Sequence, residues 1–441
     1  LAGGALTLAT GAGADNVAVQ STSASLALTT GADADTVRVV STGGATSINT
    51  EAGTDTLTIV STSAMTTLTT GADADTVLIE ATGGVLTLDA GDGNDLISIR
   101  SLGGAATVSG GLGDDTISVS SDAPANAGTL NGLAGTLTVN GDGGTDSLLL
   151  SDAGETANDS GALSSSALTG FGSAGVSYGT IESLVLSLGS AADNLTINST
   201  HAGTTGVATG AGADIIHVVS TGGALALTTG AGADAVTVTA TSGATTLNTG
   251  DDADSILIVA TNGSTTLDAG AGSDTIAIRS LGGATTVSGG LGDDTVWVSS
   301  DAVVSNGTLN GLSGALTVNG NGGSDSLLLS DAGETLAQSG TLSATMVTGF
   351  GTAGITYGTF ETLELTLGSG ADNVTVTSTQ AGSTTINTGA GNDSIDVTST
   401  GGVLALDTAA GSDNVVIRST SSTTTLNTGS ENDTVRIAGT G

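Results

Sequence analysis

Short apolar stretches alternate with polar residues along the whole chain, and each keeps a fixed distance from an aspartate. In TTGADADTVRVVST, residues 29–42, Val37 and Val39 stand two and four residues after Asp35, and Leu28 stands seven before it. Alternation of period two is the mark of a half-buried strand. A small turn, Ser41 to Gly44, follows, then a second alternating stretch, ATSINT, then the next glycine-rich turn. Each 20-residue unit therefore reads as strand, turn, strand, turn. A unit this small cannot bury its apolar face alone, so the units are expected to stack, with parallel strands at about 4.8 Å per coil. The predicted fold is an all-β parallel β-solenoid, a β-roll or β-helix, with Val37-type and Leu28-type positions inside.

The aspartate recurs at Asp15, Asp35, Asp55, Asp75, Asp95 and Asp115, then at Asp146, Asp193, Asp214, Asp234, Asp254, Asp274, Asp294, Asp325, Asp372, Asp393, Asp413 and Asp433. A longer period lies over the short one, because SLGGAATVSGGLGDDT from Ser101 returns as SLGGATTVSGGLGDDT from Ser280. Two stretched intervals in each long repeat mark insertions. The expected organisation is plain coils over 1–120, an insertion or expanded coils over 121–188, coils over 189–299, a second insertion over 300–367 and coils over 368–441. All the Phe and Tyr residues fall in the insertions, among them Phe171, Tyr178, Phe350 and Tyr357, which predicts a small aromatic core there.

Composition narrows the chemistry. Against 43 acidic residues stand five arginines and no lysine, giving a formal charge of -38, so no basic patch exists for nucleic acid or an anionic membrane surface. Aromatic residues make up 1% and cysteine is absent, which excludes a thick aromatic core, disulfides and thiolate metal sites. No apolar run approaches the roughly 18 residues of a membrane span. Leu1 begins without a methionine or a charged leader and both ends fall inside the repeat, so the chain is expected to be a piece of something longer.

Stacking predicts that the eighteen aspartates form one column on one edge, where neighbours about 5 Å apart repel by roughly 3 kcal/mol at an effective dielectric of about 20. An Asx turn needs no charge, and asparagine would serve it. None of the eighteen copies is asparagine, although Asn94, Asn392 and Asn432 stand beside the position. A hard divalent cation meets the need, since calcium accepts six to eight oxygens from carboxylates and carbonyls. Glycines four and two residues before the aspartate, such as Gly11 and Gly13, permit positive φ and could aim carbonyls inward. Where the second glycine is replaced, the substitute is usually acidic, as at Asp33, Asp73, Asp252 and Glu431, which adds Asp33, Asp73 and Asp252 to the candidate ligands.

The stretches AGDGNDLIS (90–98), GGLGDDTIS (110–118) and GGLGDDTVW (289–297) resemble the calcium-binding nonapeptide of repeats-in-toxin proteins. The resemblance implies a calcium-bound β-roll in which Asp95, Asp115 and their equivalents supply carboxylates and the glycine turns supply carbonyls. That family carries its motif on both edges of an 18-residue coil, whereas this chain has it on one edge, so one calcium row is expected. The chain is also similar to segments of very large bacterial surface proteins and adhesins. This implies a calcium-stabilised structural segment of an extracellular filament, surface layer or adhesin stalk, with further repeats or copies of the same protein as partners.

Rival readings carry less. A polysaccharide lyase or epimerase needs a positioned base and a cation, but His201 and His217 form no cluster in sequence with the arginines, so no catalysis is expected. Ice or polysaccharide binding would use outward ranks such as TTLTT and TTLNT, which Ala27, Asp89, Ala226, Asp268 and Asp407 interrupt. Trp297 is expected to be exposed. Arg100, Arg279 and Arg418 lie on the face opposite Asp89, Asp268 and Asp407, an arrangement that suggests lateral contacts between neighbouring chains.

Overall fold

The computed structural model describes residues 3–302 and 306–439, which form 42 short strands and no helix. They divide into two compact units. The first runs to Ile215 and takes in Thr221–Ala226, and the second holds Ile216–Ser220 and the chain from Leu227 onward. Each is a parallel β-solenoid with two strands per coil and about 20 residues per turn, as the periodicity predicts.

In the first unit, one sheet stacks Leu28, Ile48, Leu68, Leu88, Val108 and Val139 in register. The other stacks Val37, Leu57, Val77, Ile97, Ile117 and Leu148. None of these twelve side chains is more than 2% exposed. Each such burial stabilises by about 1.5–3 kcal/mol, so the thin core of the plain coils is built mainly from repeated aliphatic columns. The second unit repeats the arrangement with Val236, Ile256, Ile276, Val296 and Leu327 facing Leu247, Leu267, Val287 and Val318.

Most of the turns before the aspartates are left-handed, with φ of +90° at Gly11 and +110° at Gly13, although those before Asp193 and Asp372 are not. At Gly71 a methyl group would lie 1.5 Å from the Glu51 carbonyl oxygen of the preceding coil, so only glycine lets the coils close up there. Asp33, Asp73, Asp252 and Glu431 take the same conformation at φ 82°, 79°, 78° and 83°. The carbonyls four residues before the aspartate, at Glu51 and Gly250, do not point inward. They run along the stack, with Ala72 N–H donating to Glu51 O at 2.8 Å and Ala271 N–H to Gly250 O at 2.7 Å.

Within residues 121–188 the parallel stack is interrupted. Strands Ser160–Leu163, Ala167–Gly170 and Ser173–Gly179 form a zigzag in which the middle strand is antiparallel to both neighbours. Its outer strands join the stack, Ser173–Gly179 beside Leu137–Gly143 and Ser160–Leu163 beside Asn194–Ile197. Phe171 (1% exposed) and Tyr178 (5%) fill this wider coil, and the Tyr178 hydroxyl donates to Ser164 O. Gly161 makes room for the ring, since a methyl there would meet Phe171 Cε2 at 2.2 Å. The second unit carries the same device in Ser339–Leu342, Met346–Gly349 and Thr352–Gly358 around Phe350 and Tyr357.

The zigzag changes which edge carries the aspartate turn. Before it, the chain passes Asp115 on the way from the Val108 sheet into the Ile117 sheet. After it, Ser183–Ser187 lies in the Ile117 sheet and leads past Asp193 into Asn194–Ile197 of the Val108 sheet. Asp193 therefore stands on the opposite edge from Asp115.

Candidate metal-binding columns

This hand-over corrects the expectation of one column on one edge. In the first unit, one column runs Asp15, Asp35, Asp55, Asp75, Asp95, Asp115 and Asp146, and a second, on the other edge, runs Asp159, Asp193 and Asp214. In the second unit, one column includes Asp234, Asp254, Asp274, Asp294 and Asp325, and the other runs from Gln338 through Asp372, Asp393 and Asp413 to Asp433. A 20-residue coil has two equivalent edges, and an antiparallel strand inserted in one sheet shifts the turn motif from one to the other.

Every step has the same geometry. The backbone N–H of one aspartate donates to Oδ1 of the aspartate one coil on, at 2.7 Å from Asp35 to Asp55 and from Asp55 to Asp75, and at 2.8 Å from Asp115 to Asp146. Sequence reasoning set an Asx turn against a cation and missed this inter-coil bond, which is neither. Where the first column stops, a glutamate takes the next rung: Asp146 N–H donates to Glu182 Oε2 at 2.8 Å and Asp325 N–H to Glu361 Oε2 at 2.7 Å. The long repeat held the signal, because Glu182 and Glu361 occupy matching positions in it.

One oxygen of each carboxylate is thus committed to backbone. The other is buried without a hydrogen-bond partner at Asp35, Asp55, Asp75, Asp95, Asp115, Asp146, Asp254, Asp274, Asp294, Asp325 and Asp413. Threonine five residues before the aspartate, another group missed in the sequence, modulates this. Thr209 and Thr388 donate to Oδ2 of Asp214 and Asp393, both at 2.5 Å. Thr50 and Thr70 are fully buried but donate along the stack, to Thr70 O and Ala90 O. At Asp115, Asp146, Asp294 and Asp325 the position is glycine and no hydroxyl is at hand.

Desolvation dominates the protonation of these groups. It pushes Asp75 up to about 7 and Asp115, Asp254, Asp294 and Asp372 to about 6, with repulsion from neighbouring rungs adding to the rise. Backbone N–H donors pull the other way without cancelling it. Two further buried aspartates lie outside the columns: Asp152 and Asp331 accept from Leu130 and Leu309 N–H at 2.7 Å, and burial raises both to about 6.

The donor set fits a hard cation in kind, since it consists of buried carboxylate oxygens lacking partners. Among the described residues no three His, Asp or Glu side chains gather as a ready-made metal centre, because rungs follow one another coil by coil. Asp33, Asp73 and Asp252 are exposed on the turn, where Asp33 Oδ2 accepts from Gly13 N–H at 3.1 Å.

The remaining singled-out residues lie apart. His201 is buried, 3.1 Å from Thr205 Oγ1 and edge-on to Tyr178 with ring centres 6.4 Å apart, while His217 is exposed beside Thr239. Trp297 is half-buried against Leu328 and Glu364 instead of exposed. Arg418 is engaged within its own chain, in a bidentate pair with Asp396 at 2.8 and 2.5 Å, and Arg100 Nε donates to Ala123 O. Both arginines thus have a hydrogen-bond partner within their own chain.

No family model and no curated protein matches this chain. Among solved structures it is similar to a hyperactive, Ca2+-dependent, β-helical antifreeze protein from an Antarctic bacterium, at 21% identity and a TM-score of 0.27, over 69% of this chain and 80% of that one.

Proposed function

We propose that the chain is a calcium-stabilised structural segment of a large extracellular filament, surface layer or adhesin stalk, assembled with further repeats or copies of itself and without a catalytic role. The observation that carries this reading is the run of buried carboxylates, each with one oxygen bonded to the next coil and many with the other unpartnered. A buried charge without a partner is costly, and a bound cation removes that cost. Calcium would supply positive charge and further coordination by oxygen along the columns. The inter-coil hydrogen bonding within each unit suits a spacer, since coils are tied through both sheets and through the aspartate turns. An acidic chain without lysine that is set by calcium would stay loose where calcium is scarce and fold where it is abundant, which favours the outside of the cell. Thermal melting and hydrodynamic radius in excess calcium and in excess chelator test this. Chelation should lower the melting temperature by more than about 10 °C or expand the chain, and identical values in both conditions sink the reading.

One observation favours a second reading. Thr246, Thr266, Thr286, Thr317 and Thr356 stand in register on the outer surface of one sheet, a rank of five hydroxyls at strand spacing. Such a rank suits ice or a polysaccharide. The parallel rank of Asn248, Asp268, Ser288 and Asn319 contains a charge and weakens it. Thermal hysteresis of the folded protein decides whether ice is the ligand.

A further inference from the structure

The rung at which the first unit's column ends shares with Asp115 a glycine in place of threonine, and differs from those before it in being closed by a glutamate instead of an aspartate. Asp146 is 0% exposed, its Oδ1 accepts from Asp115 N–H, and its Oδ2 is buried without a partner. Gly141 replaces the usual threonine, and a methyl built on it would lie 2.3 Å from Asp146 Oδ2 and 2.2 Å from the Thr180 carbonyl oxygen. Those two oxygens therefore converge beside a bare Cα. The left-handed turn at Thr180, φ 52°, directs the carbonyl there, and its hydroxyl holds Asp142 N–H at 2.7 Å. The Glu182 carboxylate closes the rung from the next coil at 2.8 Å from Asp146 N. Asp114, which accepts from Thr145 N–H at 2.8 Å, and Asp142, which accepts from the Ser109 hydroxyl, stand close enough for their charge to add to the burial that raises Asp146. Lysine is absent from the chain, and Arg100 Nε is engaged with Ala123 O.

We propose a divalent-cation site at this rung, formed by Asp146 Oδ2, the Thr180 carbonyl and the Glu182 carboxylate, with Asp142 and Asp114 adding charge and water completing the shell. A weaker twin lies in the second unit at Asp325, Glu361 and Asp293. There Gly320 likewise leaves Asp325 Oδ2 bare, but Asn321 stands where the first unit has Asp142 and donates to Ser288 Oγ instead. Affinity at oxygen sites follows ligand charge, so the two sites differ mainly through this one residue. The proposal rests on the calcium reading only for the choice of ion. It sets this rung apart from rungs such as Asp55, which have threonine where Gly141 stands here and an aspartate, not a glutamate, on the next coil.

Calcium binding to the whole chain, measured by titration calorimetry and by equilibrium dialysis at low free calcium, tests it. Asp142→Asn should weaken the tightest class of sites roughly tenfold, and Asn321→Asp should strengthen the twin by a similar factor. Each substitution copies the residue at the matching position of the other unit, so the fold is expected to survive, and circular dichroism checks it. Asp55→Asn should leave the tightest class unchanged. If calcium binds but neither exchange alters affinity, or if Asp55→Asn weakens the tightest class as much as Asp146→Asn does, the local site is overturned while the general calcium reading stands. If no calcium binds at all, both fall.

Discussion

The plain coils and the zigzag coils meet the same demand, a filled interior under a hydrogen-bonded backbone, by different means. Around Leu57 the interior is aliphatic and the edge is a stack of carboxylates whose protonation or cation binding decides its cost. Around Phe171 the interior is aromatic, an antiparallel strand widens the coil, and the carboxylate column ends on one edge and resumes on the other. The inward column Leu28 to Val139 continues into the zigzag as Tyr178. The difference teaches that stacking register belongs to the backbone and the apolar columns, whereas the aspartate turn is a module that either edge accepts. Stability of the plain coils should therefore respond to protons and cations along the whole edge, and that of the zigzag only where carboxylates remain, at the closing rung of Asp146 and Glu182 and at the buried Asp152.

The largest expected effect is collective and comes from pH. Asp75 is held near 7, and Asp115, Asp254, Asp294, Asp372, Asp152 and Asp331 near 6, all above the ordinary carboxylate value of 3.8. Between about pH 4 and 7 the folded chain holds more protons than the unfolded one, so stability falls as pH rises through that window. Melting in calcium-free buffer should drop steeply from pH 5 to pH 8, and saturating calcium should flatten the slope. A melting temperature that rises over that range without calcium would contradict the burial of these charges.

The fold was legible because its signal is periodic: an aliphatic two residues after each aspartate and another seven before it define both sheets. The edge switch was not. Asp193 sits in the same local motif as Asp115, and nothing in a local motif records which sheet comes next. Glu182 was overlooked because it lacks the glycine turn, although it occupies a rung, and the inter-coil bond to Oδ1 escaped because a contact 20 residues away leaves no trace beyond the repeat itself. Thr50 and Thr70 carry no mark in the sequence beyond their place at the end of the second alternating stretch, yet both are 0% exposed.

Two substitutions sharpen the contrast. Phe171→Ala empties the centre of one zigzag coil and should cost about 3–5 kcal/mol, by the same amount with and without calcium. A loss that depends on calcium would tie the zigzag to the columns. Asp75→Ala removes the acceptor of Asp55 N–H and should cost about 1–3 kcal/mol in calcium, because a buried donor is left unmet. Asp75→Asn keeps the acceptor and removes the buried charge, so in calcium-free buffer at pH 8 it should melt above the parent. If alanine and asparagine behave alike under both conditions, the Oδ1 bond is not what aspartate contributes.

The smallest effect is expected outside both regions. Arg418 and Asp396 form a bidentate pair on the surface of the plain coils, with side chains 52% and 37% exposed. Solvent screens such a pair, and holding two long side chains in one geometry offsets most of its attraction. Arg418→Ala should leave the melting temperature within error of the parent at moderate salt, with or without calcium. The position also lies one residue beyond strand Asn414–Ile417, whose Val415 and Ile417 point inward, so the guanidinium contributes nothing to the apolar columns. A clear loss of stability in the alanine variant would mean that the outer face of the plain coils carries energy which the columns and edges have been assigned here.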